Sequence, residues 1–93
     1  MKKFKIELNL DNPVELLEFL SNYWLMDAKT LAAEFGWEGE GAVPAVIALQ
    51  DYAEYKLTAI RRRLNGQINC ACSAERECDE IYRQRIQPNI DCW

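Results

Sequence analysis

Residues 43–65, VPAVIALQDYAEYKLTAIRRRLN, decide the fold, because they carry the longest uninterrupted helical pattern in the 93-residue chain. Val46, Leu49, Ala53, Leu57, Ile60 and Leu64 recur at alternating steps of three and four, which sets them on one stripe of a 3.6-residue helix. That stripe has to be buried. Pro44 belongs in a first turn, where the N–H it lacks has no helical partner, and Gly66 suits the left-handed residue just past the end. Arg61, Arg62 and Arg63 fall in the last turn, against the negative end of the helix dipole.

Downstream of the Asn65-Gly66 turn, Ile68, Ala71, Ala74, Cys78, Ile81 and Tyr82 share one broad face. The spacing predicts a second helix over 68–86 that returns antiparallel to the first and stops before Pro88. The small Ala71 and Ala74 are expected to let it approach the Ala53 region closely. In outline this hairpin looks like a single tetratricopeptide-type unit. The chain has no repeat and lacks the signature residues, so the likeness carries no function.

Upstream, Phe4, Ile6, Leu8 and Leu10 alternate with Lys3, Lys5, Glu7 and Asn9, the period-two pattern of a half-buried strand over 3–10. Asn12, Pro13 and Glu15 then form a helix start of capping-box type. Leu16, Leu17, Phe19, Leu20, Tyr23 and Trp24 make the apolar face of that helix, which runs over 13–25. The stripe drifts at Met26 and Asp27, which predicts a break and a short helix over about 28–35, with one continuous bent helix as the alternative. Gly36 ends it either way. Residues 36–42, GWEGEGA, read as an acidic glycine-rich loop anchored by a buried Trp37. The expected fold is a single domain over 1–93, mainly α (α+β), with about four helices, a central antiparallel helical hairpin and one N-terminal β-strand.

Hydrophobic residues at 49% and charged residues at 28% are ordinary for a folded domain. The formal net charge of -4 conceals an asymmetry: residues 6–55 hold ten acids (Glu7, Asp11, Glu15, Glu18, Asp27, Glu34, Glu38, Glu40, Asp51 and Glu54) against Lys29 alone. The densest basic charge is in the three lysines of residues 1–5 and in Lys56 with Arg61–Arg63, with Arg76, Arg83 and Arg85 following downstream. The opening MKKFKIELNL lacks the apolar run of a secretory signal, and no stretch approaches the roughly 18 apolar residues of a membrane span. The expected location is the cytoplasm, where Cys70, Cys72, Cys78 and Cys92 stay reduced.

Several chemistries lack their residues. The chain has no histidine, so a cysteine or serine nucleophile has no imidazole base. The carboxylates fall on solvated helix faces, with no pair converging in a cleft. Zinc is disfavoured because Cys70 and Cys72 project about 200° apart around a helix axis and no CxxC pair exists. Glu38 and Glu40 repel a phosphate from the glycine loop, and two glutamates fall short of a calcium loop. No catalytic residue, metal or cofactor is therefore assigned.

Residues 28–37, AKTLAAEFGW, resemble the first helix and turn of a helix-turn-helix module, which makes a DNA-binding regulator the alternative function. The segment that the resemblance sends into the major groove, GEGAVPAVIALQD, carries acids and no Lys or Arg, contrary to what phosphate contacts require.

The strand over 3–10 needs a partner for its backbone groups. The candidates are the tail 88–93, the loop near Trp37, or the same strand of a second copy, and the shortness of the first two favours a homodimer or a partner's edge. On the reverse side of the long helix, Ala48, Tyr52, Tyr55 and Ala59 share a flank, either capped by the first helices or open as a recognition surface. The leading function is a small acidic non-enzymatic protein that acts by stoichiometric binding to another protein with a basic surface. Its expected contacts are Glu38, Glu40, Asp51 and Glu54, with Tyr52 and Tyr55 as aromatic anchors. Size, acidity and absence of chemistry are shared with phage-type inhibitors such as anti-CRISPR and nucleic-acid-mimic proteins, a match of properties and not of a motif. The simpler role of the acids is solubility.

Overall fold

The computed structural model describes residues 4–92. It is mainly α with a small sheet, in the order β1 (Phe4–Ile6), α1 (Pro13–Leu25), α2 (Ala28–Glu34), α3 (Ala42–Leu64), α4 (Ile68–Ile81), a π-helical turn (Tyr82–Ile86) and β2 (Ile90–Cys92). Among the described residues no helix is long and apolar enough to cross a membrane.

The helix boundaries follow local chemistry. Asn12 Oδ1 accepts the Val14 N–H at 3.0 Å and Pro13 occupies the first helical position. The capping box does not close as expected, because Glu15 turns to the Asn9 N–H, 3.4 Å away, while Asn12 N–H donates to the Asn9 carbonyl. Asp27 explains the break after Met26: its side chain accepts the Thr30 N–H at 2.7 Å and starts α2 afresh. Both α2 and α3 end on a left-handed glycine, Gly36 (φ 74°) and Gly66 (φ 77°). In each case the residue after the glycine donates five residues back, Trp37 to Ala32 and Gln67 to Arg62, which satisfies carbonyls that the helix leaves open.

β1 finds its partner within the chain. It pairs in parallel with β2, Phe4 opposite Ile90 and Ile6 opposite Cys92. Phe4 donates to Asn89, so the alternating geometry turns Lys5 toward the other edge, where the Trp37 indole N–H meets the Lys5 carbonyl at 3.1 Å. Two internal candidates, the tail and the Trp37 loop, thus take the two sides that were expected to call for a second copy. The ladder is short because β2 offers only three residues. The period-two pattern nevertheless continues, with Leu8 and Leu10 buried and Glu7 and Asn9 exposed, and Lys3 lies outside the described residues.

The core gathers Leu8, Leu10, Leu16, Phe19, Leu20, Leu31, Trp37, Val46, Leu49, Ala53, Ile86 and Ile90 about the first half of α3. Trp37 stacks on Phe4 with ring centroids 5.0 Å apart and tilts against Phe35 at 5.1 Å. Beyond Ala53 the cover thins: Leu57 and Ile60 are half-buried and Leu64 is 83% exposed. The expected apolar faces of the other helices are narrower as well. Leu17 and Trp24 on α1, Ile68 on α4 and Tyr82 after it face solvent.

The expected helix over 68–86 is α-helical only to Ile81. Gln87 then donates to the Tyr82 carbonyl, five residues back. This wider turn brings Ile86 onto the same buried face as Ile81 and leaves Arg85 beside Asp51.

Candidate functional site

The long helix has two buried seams and one open side. At 100° per residue, Val46, Leu49 and Ala53 lie on one stripe, while Ala45, Ala48, Tyr52 and Ala59 lie on an adjacent one. All seven are buried. The second stripe is where α4 packs, as its cross-helix bonds show: the Cys78 thiol donates to the Tyr52 carbonyl at 3.7 Å, the Tyr52 and Tyr82 rings lie 6.4 Å apart, and Arg85 pairs with Asp51 at 2.8 Å. At the other end Arg63 binds Glu75 through two hydrogen bonds of 2.6 and 2.8 Å. This antiparallel register sets Ala71 and Ala74 opposite the Ala59 stretch, about six residues further along α3 than the expected contact with Ala53.

The six expected contact residues therefore separate into two groups. Glu38, Glu40, Glu54 and Tyr55 are exposed, Tyr55 to 41%. Tyr52 is only 7% exposed. Burial, above all, pushes its phenol up to about 12, with Cys78, Asp11, Asp79 and Tyr82 adding to the shift. Asp51 is half-buried and engaged with Arg85. Tyr52 and Asp51 hold the hairpin together; the remaining four are open to solvent. Glu54 stands about 18 Å along α3 from its start, before which Glu38 and Glu40 sit in the loop. The three carboxylates thus do not converge on a point, so they suit an extended basic surface and not a small ligand.

The charge of this part of the chain is unbalanced. Of the ten acids between residues 6 and 55, eight are exposed and Glu15 and Asp51 are partly buried. Among the described residues only Asp51 of the ten is in an ion pair. Cys78, the buried thiol, is held at about 11 mainly by desolvation and is protonated at neutral pH; Cys70 and Cys72 are exposed on α4. Among the described residues no three His, Cys, Asp or Glu side chains gather as a ligand set.

The helix-turn-helix resemblance meets a different geometry. Seven residues separate α2 from α3, and the first half of α3, which that module would send into a groove, is the centre of the core. The exposed residue of that half is Pro44, which carries no charge.

Sequence reasoning missed two features. Val14, Leu17, Trp24 and Leu25 form an exposed apolar band on α1, between 52% and 82% accessible. The available signal was that α1 is apolar over more than half its circumference, more than one seam can cover. The second is a groove between the segment after β1 and the flank of α1 that carries Glu15 and Glu18, residues one helical turn apart. Comparison with family models, curated proteins and solved structures finds no match to this chain.

Proposed function

We propose that the protein works by stoichiometric association with another protein, occupying a basic surface of the kind that holds nucleic acid, in the manner of a phage-type inhibitor such as an anti-CRISPR or nucleic-acid-mimic protein. It performs no reaction of its own. The observation that carries this reading is the set of ten acids in residues 6–55, just over half of the chain, eight of them exposed and nine outside any ion pair among the described residues. Such a field steers a protein toward cationic surfaces and speeds its encounter with them. Glu38, Glu40 and Glu54 supply charge, and Tyr55 supplies the aromatic contact with a hydroxyl at its tip. A homodimer through β1 has less support, because that strand uses one edge for β2 and its Lys5 carbonyl for Trp37.

The test is to immobilise the chain, pass host lysate over it at low salt, and elute with duplex DNA or RNA in one arm and with salt in the other. A specific partner released by both supports occupation of a nucleic-acid site. Retention that neither nucleic acid nor salt disturbs contradicts it.

A further inference from the structure

The chain leaving β1 and one flank of α1 enclose a groove whose floor is Ile6, Leu8, Phe19 and Phe35 and whose rim carries Glu7, Glu15 and Glu18. It measures about 330 Å³, and a lobe of about 460 Å³ at Asn9 continues it. The local causes are two periodicities. Leu8 and Leu10 are drawn into the core, which turns Glu7 outward between them and β1. On α1 the three-residue step stacks Glu15 and Glu18 on one flank, beside the buried Phe19. The Asn9 N–H fixes Glu15 at the groove.

Three carboxylates around an apolar floor repel one another, and among the described residues none of them is in an ion pair. Lys5, two residues before Glu7, makes none with them either. A cation that also needs apolar contact along its stem satisfies both parts of this groove. We infer that it receives an arginine side chain from a basic partner protein. The methylene stem lies on Leu8 and Phe19, and the guanidinium reaches the rim, where its planar fork matches a carboxylate through two parallel hydrogen bonds. The half-buried Phe35, stacked on Phe19, completes the apolar lining. Lysine, a point charge with strong hydration, gains less from the same geometry.

The inference rests on the reading of the partner as a basic protein, and it is tested without that partner. The labelled chain is titrated at low salt with acetyl-Gly-Arg-Arg-Gly-amide and with the same peptide carrying neutral citrulline, while backbone amide shifts are followed. The arginine peptide should perturb residues 6–9, 15–22 and 35, and the citrulline peptide should not. Glu15→Gln with Glu18→Gln should weaken binding roughly tenfold, the loss of one charge-assisted contact, while Glu38→Gln with Glu40→Gln leaves it unchanged. The spectra themselves report that each variant is folded. Perturbations spread evenly over all exposed acids, equal weakening by both pairs, or self-association that already fills the groove would overturn the assignment. If the peptide fails while the lysate partner is still displaced by nucleic acid, the groove is refuted and the wider reading stands.

Discussion

The two seams of α3 bury similar lengths of the same helix with opposite materials. Toward α1 and α2 the helix presents Val46 and Leu49, large side chains that interdigitate with Leu16, Leu20 and Leu31 in the core. Toward α4 and the π-helical turn that follows it, α3 presents Ala45, Ala48 and Ala59 around a single large residue, Tyr52. Small residues let backbones approach, so the second seam is built on close approach, on the Cys78 bond to the Tyr52 carbonyl and on an ion pair at each end. A large-residue seam announces itself on both partners, whereas the small-residue seam was legible only from the α4 side, in Ala71 and Ala74. The difference decides which tyrosine is open to a partner.

The comparison predicts unequal responses to mutation. The largest belongs to the first seam: Leu49→Ala should cost about 2–5 kcal/mol, since it leaves a cavity among packed side chains, and urea unfolding reads it directly. On the second seam enlargement should be the damaging change. Ala48→Leu should cost about 1–3 kcal/mol by forcing the returning segment of α4 and the π-helical turn away from α3. A neutral outcome at Ala48 would mean that the helices are not in close contact there.

A third response comes from pH. The folded state raises the Cys78 thiol from 9.0 to about 11 and the Tyr52 phenol from 10.0 to about 12, in both cases first through burial. Both groups are neutral when protonated, so the unfolded chain loses its protons first, and stability is full below about pH 9 and falls as pH rises toward 11–12. Between pH 8 and pH 10 the loss should be on the order of 1–2 kcal/mol, and Cys78→Ala with Tyr52→Phe should flatten the slope. The smallest effect is expected at Tyr55. At this exposed position, Tyr55→Ala should change stability by less than about 0.5 kcal/mol.

Most of the scaffold was legible in the sequence because strong local signals agreed with the tertiary outcome. Asn12 with Pro13, the glycines at 36 and 66, and Pro44 placed the helix ends within a residue or two. What periodicity could not show was where cover stops. Leu17 and Trp24 satisfy the same spacing rule as Leu16 and Leu20, yet α1 has one covered face and they lie just past its margin. Leu64 continues the α3 stripe beyond the reach of α1 and α2. The π-turn was invisible for a related reason, since Ile86 lies off the regular period of α4 and is recovered only by a wider turn. In the candidate site the charges were legible and their availability was not. Asp51 and Tyr52 look as free as Glu54 and Tyr55 in the sequence, and only the π-helical turn, through Arg85, and α4, through Cys78, take them out of the exposed set.

That division leads to the decisive measurement. With a partner in hand, association and dissociation rates are measured by stopped flow, at low and at physiological salt, for Glu38→Lys with Glu40→Lys and Glu54→Lys in one folded chain. Asp51 is left intact so that its bond to Arg85 still holds the hairpin. If the exposed acids steer binding, association should slow by roughly tenfold or more at low salt, with a much smaller change in dissociation and convergence of the two proteins as salt rises. Unchanged association by the folded variant would contradict the account.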